Sequence, residues 1–295
     1  MSQIELFEPA ITNINTQVSK VVNVASVPQR SPFRYAGGKT WLVPKVRSWL
    51  SAYGGSDKEL IEPFAGGGIV SLTAACENLV GHVTMVEKDE DVAAVWQLIL
   101  NGGGEWLASQ IVAFDFTPET AREAINNATE SLEARAFATI IKNRANRGGI
   151  LAKGASFIKS GEKGKGITSR WYPETLRKRI LKIAEIRDKI TFIEGDAFDI
   201  CAENSDRRDA VYFIDPPYIK AGRRLYRYSD LDHEKLFDVS KKLQGQFLMT
   251  YDNANEVREM GAKRGFSMKT VAMKNTHHAE KKELLISRCL NWMID

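Results

Sequence analysis

An apolar pentapeptide, Ala210-Val211-Tyr212-Phe213-Ile214, runs directly into Asp215-Pro216-Pro217-Tyr218. Such a run, with turn residues behind it, reads as a buried strand. A carboxylate, a stiff Pro-Pro step and an aromatic ring therefore stand where a strand becomes a loop, and in open α/β sheets ligands bind at that edge. Upstream, Glu59-Leu60-Ile61 reads as a short strand leading into Glu62-Pro63-Phe64-Ala65-Gly66-Gly67-Gly68, with Ile69 to Ala75 as the start of a helix. A glycine-rich turn between strand and helix lets backbone approach a ligand closely, although a plain tight turn uses the same residues. The dinucleotide fingerprint is absent, because Ser71 stands at its third glycine position. An adenosyl group without a pyrophosphate fits better than a nicotinamide dinucleotide. A further strand, Val83 to Val86, ends at Glu87, about twenty positions past the glycines, where an acidic side chain grips ribose hydroxyls. Asp89 and Asp91 are close by, and a solvated acidic loop is the alternative for all three.

The tetrapeptide suits methylation of an exocyclic amine on a base. The lone pair of such an amine is delocalised into the ring, so the nitrogen is a poor nucleophile. The Asp215 carboxylate and the Pro216 carbonyl can each accept one of its N–H bonds, which aims the lone pair at an electrophilic methyl group. Pro216 and Pro217 fix φ and lack a donor, so the acceptors are set in advance. Tyr218 offers a stacking face for a flipped-out base. Asp and Pro also serve ordinary strand-to-turn exits.

With these pieces in place the chain resembles a Dam-type (α-group) DNA adenine-N6 methyltransferase. The resemblance rests on Pro32-Phe33-Arg34-Tyr35-Ala36-Gly37-Gly38-Lys39, on Glu62-Pro63-Phe64 with its glycines, on Glu87, on Phe192-Ile193-Glu194-Gly195-Asp196 and on Asp215-Pro216-Pro217-Tyr218, in the family's order. It spans roughly residues 31 to 290. It implies an α/β fold: a Rossmann-like methyltransferase sheet with helices on both faces and an inserted, mainly helical target-recognition lobe. It implies S-adenosyl-L-methionine as cofactor, held by Tyr35, Ala36, Gly37, Lys39, Glu62, Pro63, Phe64, Gly66, Gly68, Glu87, Asp196 and Asp215. Within that set Glu87 holds the ribose, where Asp is usual, and Asp196 bonds the adenine. The domains implied are an extension over 1–30, a catalytic domain over 31–100 and 185–295, and the inserted lobe over 101–184.

Charge distribution points to a polyanionic partner. The chain of 295 residues carries a net charge of +4, yet Lys142 to Lys189 holds fourteen Lys/Arg against four Asp/Glu. A basic block in a near-neutral protein is the footprint of a phosphate backbone. It comprises Lys142 to Gly149, a Gly/Lys/Ser-rich stretch from Lys153 to Arg170 that looks like a mobile loop, and a helix over Thr175–Lys189. In that helix Leu176, Ile180, Ile183 and Ile186 form an apolar face, and a solvated basic face accounts for the rest. Asn143 and Arg144 match the Asn-Arg pair of the family's recognition stretch. Arg147-Gly148 replaces its usual Tyr-Asn step and Ala152 its Arg, so the resemblance does not extend to the GATC target. Thr117-Pro118-Glu119 caps one helix of the insertion, and Leu132 to Ile141 forms another. The candidate contacts with double-stranded DNA are Asn143, Arg144, Arg147, Lys163, Lys165 and Arg170, with Arg223, Arg224 and Tyr226 from the basic-aromatic loop after the tetrapeptide.

The remaining features exclude more than they assign. Cys76, Cys201 and Cys289 are far apart, without metal spacing, and read as reduced, mostly buried thiols of a cytoplasmic protein. No run is apolar enough to span a membrane, and no secretory signal is evident. His277 and His278 lack further ligands nearby, so no metal is expected. Asp232-His233 heads a helix over Glu234–Leu243, and Phe247 to Tyr251 and Leu284 to Ile286 read as strands. The expected activity is site-specific adenine-N6 methylation of DNA. Rivals are cytosine-N4 methylation, where Ser is more usual than Asp215, methylation of a protein glutamine, where Asn is, and a catalytically inactive DNA-binding regulator. A partner restriction nuclease is compatible with all the DNA readings, and the sequence leaves oligomeric state and recognition site open.

Overall fold

The computed structural model describes residues 26–128, 131–219, 222–274 and 280–293. Residues 1–25, most of the expected extension, fall outside them, as do Lys220, His277 and His278. In chain order, α1 (Val43–Tyr53) precedes β1 (Gly55–Glu62), and α2 (Ile69–Cys76) leads to β2 (Val80–Glu87). Then α3 (Glu90–Leu98), α4 (Gly104–Ala113), α5 (Pro118–Asn126), α6 (Leu132–Ala145) and α7 (Pro173–Glu185) separate β2 from β3 (Ile190–Glu194). There follow α8 (Ala197–Glu203), β4 (Ala210–Ile214), α9 (Gly222–Leu225), α10 (His233–Lys242), β5 (Gln246–Asp252), α11 (Asn255–Lys263), β6 (Ser267–Lys274) and β7 (Glu280–Ser287).

The strands form one sheet of order β3-β2-β1-β4-β5-β7-β6. The first five in that order pair in parallel, and β7 runs antiparallel between β5 and β6. This is the Rossmann-like methyltransferase sheet that the motifs lead one to expect. The alternation of β4 divides the core: Val211 and Phe213 pack toward α1, α2 and α3, whereas Tyr212 and Ile214 pack toward α8, α10 and α11. All five residues of β4 are buried, so the strand is covered on both faces. Leu107 of α4, Ile140 of α6 and Ile180 of α7 join the first of these cores, so the helices of the insertion share it with the sheet. A satellite cluster beside it is built on Phe116, Ala121, Ile141 and Ile167, and Phe116 stacks on Trp171 with centroids 4.3 Å apart.

Local chemistry sets several boundaries. The hydroxyls of Thr117 and Thr120 form a reciprocal capping box on α5, and Pro118 occupies its first turn. Asp232 caps α10 by accepting the Lys235 N–H at 2.9 Å. The stretch from Lys153 to Arg170 is built of short helical turns pinned by buried Ile167 and Ser169. The expected burial of the cysteines holds for Cys201 only. Cys76 and Cys289 are partly exposed, because each lies at or beyond an element's end.

Candidate active site

The site follows from the strand order. From β1 the sheet grows toward β2 on one side and toward β4 on the other, so the connections leaving β1 and β4 diverge and open a crevice at their carboxyl ends. Glu62 ends β1, and Asp215 follows β4 immediately. A cleft of about 810 Å³ lies there, lined by Tyr35, Lys39, Gly66, Glu87, Asp196 and Asp215 among others.

Asp215 is gripped from two sides. β5 pairs with β4 with Ile214 opposite Met249, which brings the next residue, Thr250, to Asp215. The Thr250 hydroxyl donates to Asp215 Oδ1 at 2.5 Å. The Lys39 ammonium, almost wholly buried, lies 2.8 Å from Asp215 Oδ2 and donates to the Gly37 carbonyl at 2.7 Å. Lys39 Nζ also sits 5.1 Å from the centroid of the Tyr218 ring. Tyr218 is itself immobilised: its ring stacks on Tyr251 at 5.7 Å and 19°, and its hydroxyl donates to Glu283 Oε2 at 2.9 Å. Tyr251 is held in turn by His233, whose Nδ1 is 2.7 Å from the Tyr251 hydroxyl. Burial, with the Asp215 and Glu283 charges, pushes the Tyr218 phenol well above the usual tyrosine range. Thr250, Tyr251, His233 and Glu283 carry no motif, and their part emerges only once the strands are paired.

The glycine turn forms the neighbouring wall. Gly66 and Gly68 both have positive φ, which glycine adopts without strain. A Cβ at Gly66 would lie 2.5 Å from Tyr35 Cε1, and one at Gly68 would lie 2.6 Å from Met85 Cε. Only glycine therefore fits at these two positions, with Tyr35 packed on the first and the Met85–Trp96 core on the second. Glu62 turns beneath the glycines, accepting the Ser71 backbone N–H at 3.0 Å and the Ser71 hydroxyl. Its burial pushes the carboxyl up to about 8. Glu87 accepts three backbone N–H groups, from Gly66 at 2.8 Å and from Lys88 and Asp89 at 2.9 Å each. Burial outweighs those bonds and pushes it up to about 7. Two carboxylate oxygens provide about four acceptor positions, so Glu87 retains capacity for a ligand hydroxyl. Asp196 caps α8 through Phe198 N at 2.8 Å and pairs with Lys88 at 2.8 Å at the rim of the cleft. Pro63 lines the cleft, and Phe64, half-buried, packs against the core on the α8 side.

The expected DNA contacts divide. Arg147, Lys163 and Lys165 are exposed. Arg170 is half-buried and pairs with Glu162 at 2.5 Å. Asn143 and Arg144 turn inward, and Arg144 lines the cleft. Asn143 is fully buried and bridges two segments: its amide accepts the Arg34 N–H at 2.9 Å and donates to the Arg34 carbonyl at 3.0 Å and the Gly149 carbonyl at 2.7 Å. Arg144, at 4% exposure, donates to the Pro32 carbonyl. The reason is that the last turn of α6 is wedged between residues 31–35 and 146–150, so both of its faces are covered. Tyr226 also faces inward, its hydroxyl donating to the Ala36 carbonyl at 2.7 Å and its ring stacked on Tyr35 at 5.8 Å. The next residues tie this loop across the cleft to the start of α3: Arg227 pairs with Glu90 at 2.7 Å, and Tyr228 donates to Glu90 at 3.0 Å. Arg223 and Arg224 belong to α9, with side chains outside the described residues.

Residues 35–147 match the model of the D12 class N6 adenine-specific DNA methyltransferases. Among solved structures, a methyltransferase from Geobacter sulfurreducens is 10% identical, with 92% of this chain and 100% of that one covered and a TM-score of 0.41. A candidate RNA methyltransferase from Pyrococcus horikoshii is also 10% identical, with 90% and 92% covered and a TM-score of 0.41. A precorrin-6y C5,15-methyltransferase from Geobacter metallireducens is 11% identical, with 84% and 87% covered and a TM-score of 0.37. No curated protein matches the chain in sequence. The strand order and the matched stretch together mark the chain as a methyltransferase of Rossmann-like fold. Among the described residues no helix is long and apolar enough to cross a membrane.

Proposed function

We propose that the chain transfers a methyl group from S-adenosyl-L-methionine to N6 of an adenine flipped out of double-stranded DNA. The observation that carries this reading is the doubly held Asp215 carboxylate at the switch point, in one cleft with the glycine turn and a ribose-binding candidate, Glu87. The residues fit the cofactor. Glu87 retains acceptor capacity for a ribose hydroxyl, and Tyr35 stands over the glycine turn, packed against Gly66 and Gly67. When bound, the cofactor supplies an electrophilic methyl group on a sulfonium. Tyr35, Lys39, Gly66–Gly68, Glu87 and Asp196 would hold it.

The chain's own contribution is positioning and electrostatics. Asp215 and the Pro216 carbonyl accept the two N6 N–H bonds, which localises the lone pair on nitrogen. Nitrogen gains positive charge as its bond to the methyl carbon forms, and the adjacent carboxylate stabilises that charge until the proton leaves. Thr250 keeps Asp215 oriented throughout. Lys39 occupies one carboxylate oxygen, so an entering amine uses the remaining lone pair or displaces the ammonium toward Gly37. Tyr218, backed by Tyr251, presents a fixed ring against which a base can stack. The test is incubation with methyl-labelled cofactor and duplex DNA, then digestion to nucleosides. N6-methyladenine supports the proposal; N4-methylcytosine, or label only in protein, overturns it.

A further inference from the structure

One wall of the cleft carries positive charge held by no ion pair. Arg144 is 4% exposed, yet its Nε is buried without a hydrogen-bond partner, and its Nη2 donates only to the Pro32 carbonyl. Arg34 leaves a buried Nη1 unbonded as well. Arg179, from α7, donates to the Ser31 carbonyl at 3.1 Å. All three line the cleft. Among the described residues none of them forms an ion pair within 4 Å. The nearby carboxylate, Glu162, is engaged by Arg170 at 2.5 Å.

A structural strut does not account for this. Burying an ionised group without a partner costs several kcal/mol, and one bond to a carbonyl uses a single donor of the five that a guanidinium carries. The three cations also oppose one another: burial first, then Arg179 and Arg34, lower Arg144 to about 9. Arg34 and Arg144 are held in place, since Asn143 locks Arg34 to Gly149 and a Cβ at Gly149 would meet the Arg34 backbone, and Arg179 reaches them from α7. Preset donors around a desolvated, uncompensated charge form a receptor for a planar or tetrahedral oxyanion.

We infer that Arg34, Arg144 and Arg179 form a built oxyanion site that takes a carboxylate or a phosphate group presented inside the cleft. The identity of that group rests on the proposed function, which offers two sources: the carboxylate of the cofactor's amino-acid tail and a phosphodiester of the bound duplex. The site itself does not depend on that function.

The test uses the full chain and begins with inorganic sulfate alone, followed by calorimetry and thermal unfolding. Sulfate should bind the wild type and raise its unfolding midpoint. Arg34→Gln, Arg144→Gln and Arg179→Gln should each weaken sulfate by about tenfold or more, as for a lost charge-assisted hydrogen bond. If Arg144→Gln fails to fold, the half-buried Arg34 and Arg179 carry the test. Equal sulfate affinity in the wild type and the variants, or none in the wild type, overturns the site. Two further titrations assign the source. If the variants lose S-adenosylhomocysteine about tenfold but keep 5′-methylthioadenosine, which lacks the carboxylate, the anion is the cofactor's. If both nucleosides bind unchanged while the log–log salt slope for duplex DNA falls by about 0.9 per arginine, it is a phosphate. Sulfate loss in the variants of a protein that methylates no DNA leaves the site standing and removes the proposed function instead.

Discussion

Thr250→Val removes one hydroxyl from the fully buried face of β5 and leaves the shape nearly unchanged. Its target is the 2.5 Å bond to Asp215 Oδ1. A hydrogen bond to a charged group contributes about 1.5–3 kcal/mol. At about 1.4 kcal/mol per decade that is roughly 10-fold to 150-fold in rate, if the bond acts fully in the transition state. Lys39 still holds the other oxygen at 2.8 Å, so the carboxylate is loosened rather than released. The lower part of that range, about 10-fold to 50-fold, is therefore expected in single-turnover methyl transfer. Cofactor affinity, measured separately by calorimetry, should change by less than about threefold, because Thr250 is not part of the glycine-turn wall. Thr250→Ser restores the donor and should recover most of the rate. A Thr250→Val protein that folds normally and turns over within about threefold of wild type would show that Asp215 needs no orienting partner. A loss confined to cofactor binding would mean that the carboxylate belongs to the cofactor site alone.

Other outcomes follow from the same geometry. Glu87 is pushed up to about 7 by burial, so it is protonated on the acid side; cofactor affinity should rise as pH increases through about 7, and Glu87→Gln should bind more weakly with a flat profile in calorimetry. Glu62, pushed up to about 8, binds a proton in the folded state that the unfolded chain has already lost above the ordinary glutamate range. Its stabilisation is present at low pH and disappears as pH rises toward and through about 8, so the wild type's unfolding midpoint should fall over that interval relative to Glu62→Gln. Lys163 and Lys165 are exposed and form no ion pair among the described residues; if they meet phosphates, replacing both with Gln should reduce the salt slope of duplex binding by about 1.8, with no change in sequence choice.

The parts of the fold that the sequence reveals are those whose chemistry is local. The strand Ala210–Ile214 has the same limits in the structure as in the pattern, since its apolar run and its Asp-Pro-Pro exit are both contiguous. The turn before α2 and the cap at Thr117 are equally local. What sequence reasoning misses depends on pairing. β6 ends the sheet and mixes Ser267, Lys269, Thr270 and Lys274 with Met268, Val271, Ala272 and Met273 without strict alternation, so it gives little periodic signal. Thr250 looks like one more β-branched strand residue until β5 is laid beside β4 in register. Asn143 and Arg144 stand out in the sequence through the family resemblance and the basic block, and neither signal shows that they are buried. Nothing local announces that residues 31–35 cross over them, more than a hundred positions away in the chain.

The costs that this fold tolerates are concentrated in one place. Glu62 and Glu87 are carboxyls held in burial that favours their neutral forms, and Arg144 is a guanidinium buried without an anion. Each departs from what stability alone would select, and elsewhere the chain shows the opposite habit. Arg264, comparably buried, is matched by Glu234 and Asp238, and Glu77 by Arg30 and Arg47. The contrast matters because the same chain pairs its buried charges when only structure is at stake. Glu62, Asp215 and Glu87 line the same cleft as the unmatched Arg34, Arg144 and Arg179, so acidic and basic groups are gathered there together. A ligand with a cationic centre at one end and an oxyanion at the other offsets both costs in a single binding event. That is the physical sense in which an energetically frustrated cleft marks a functional site.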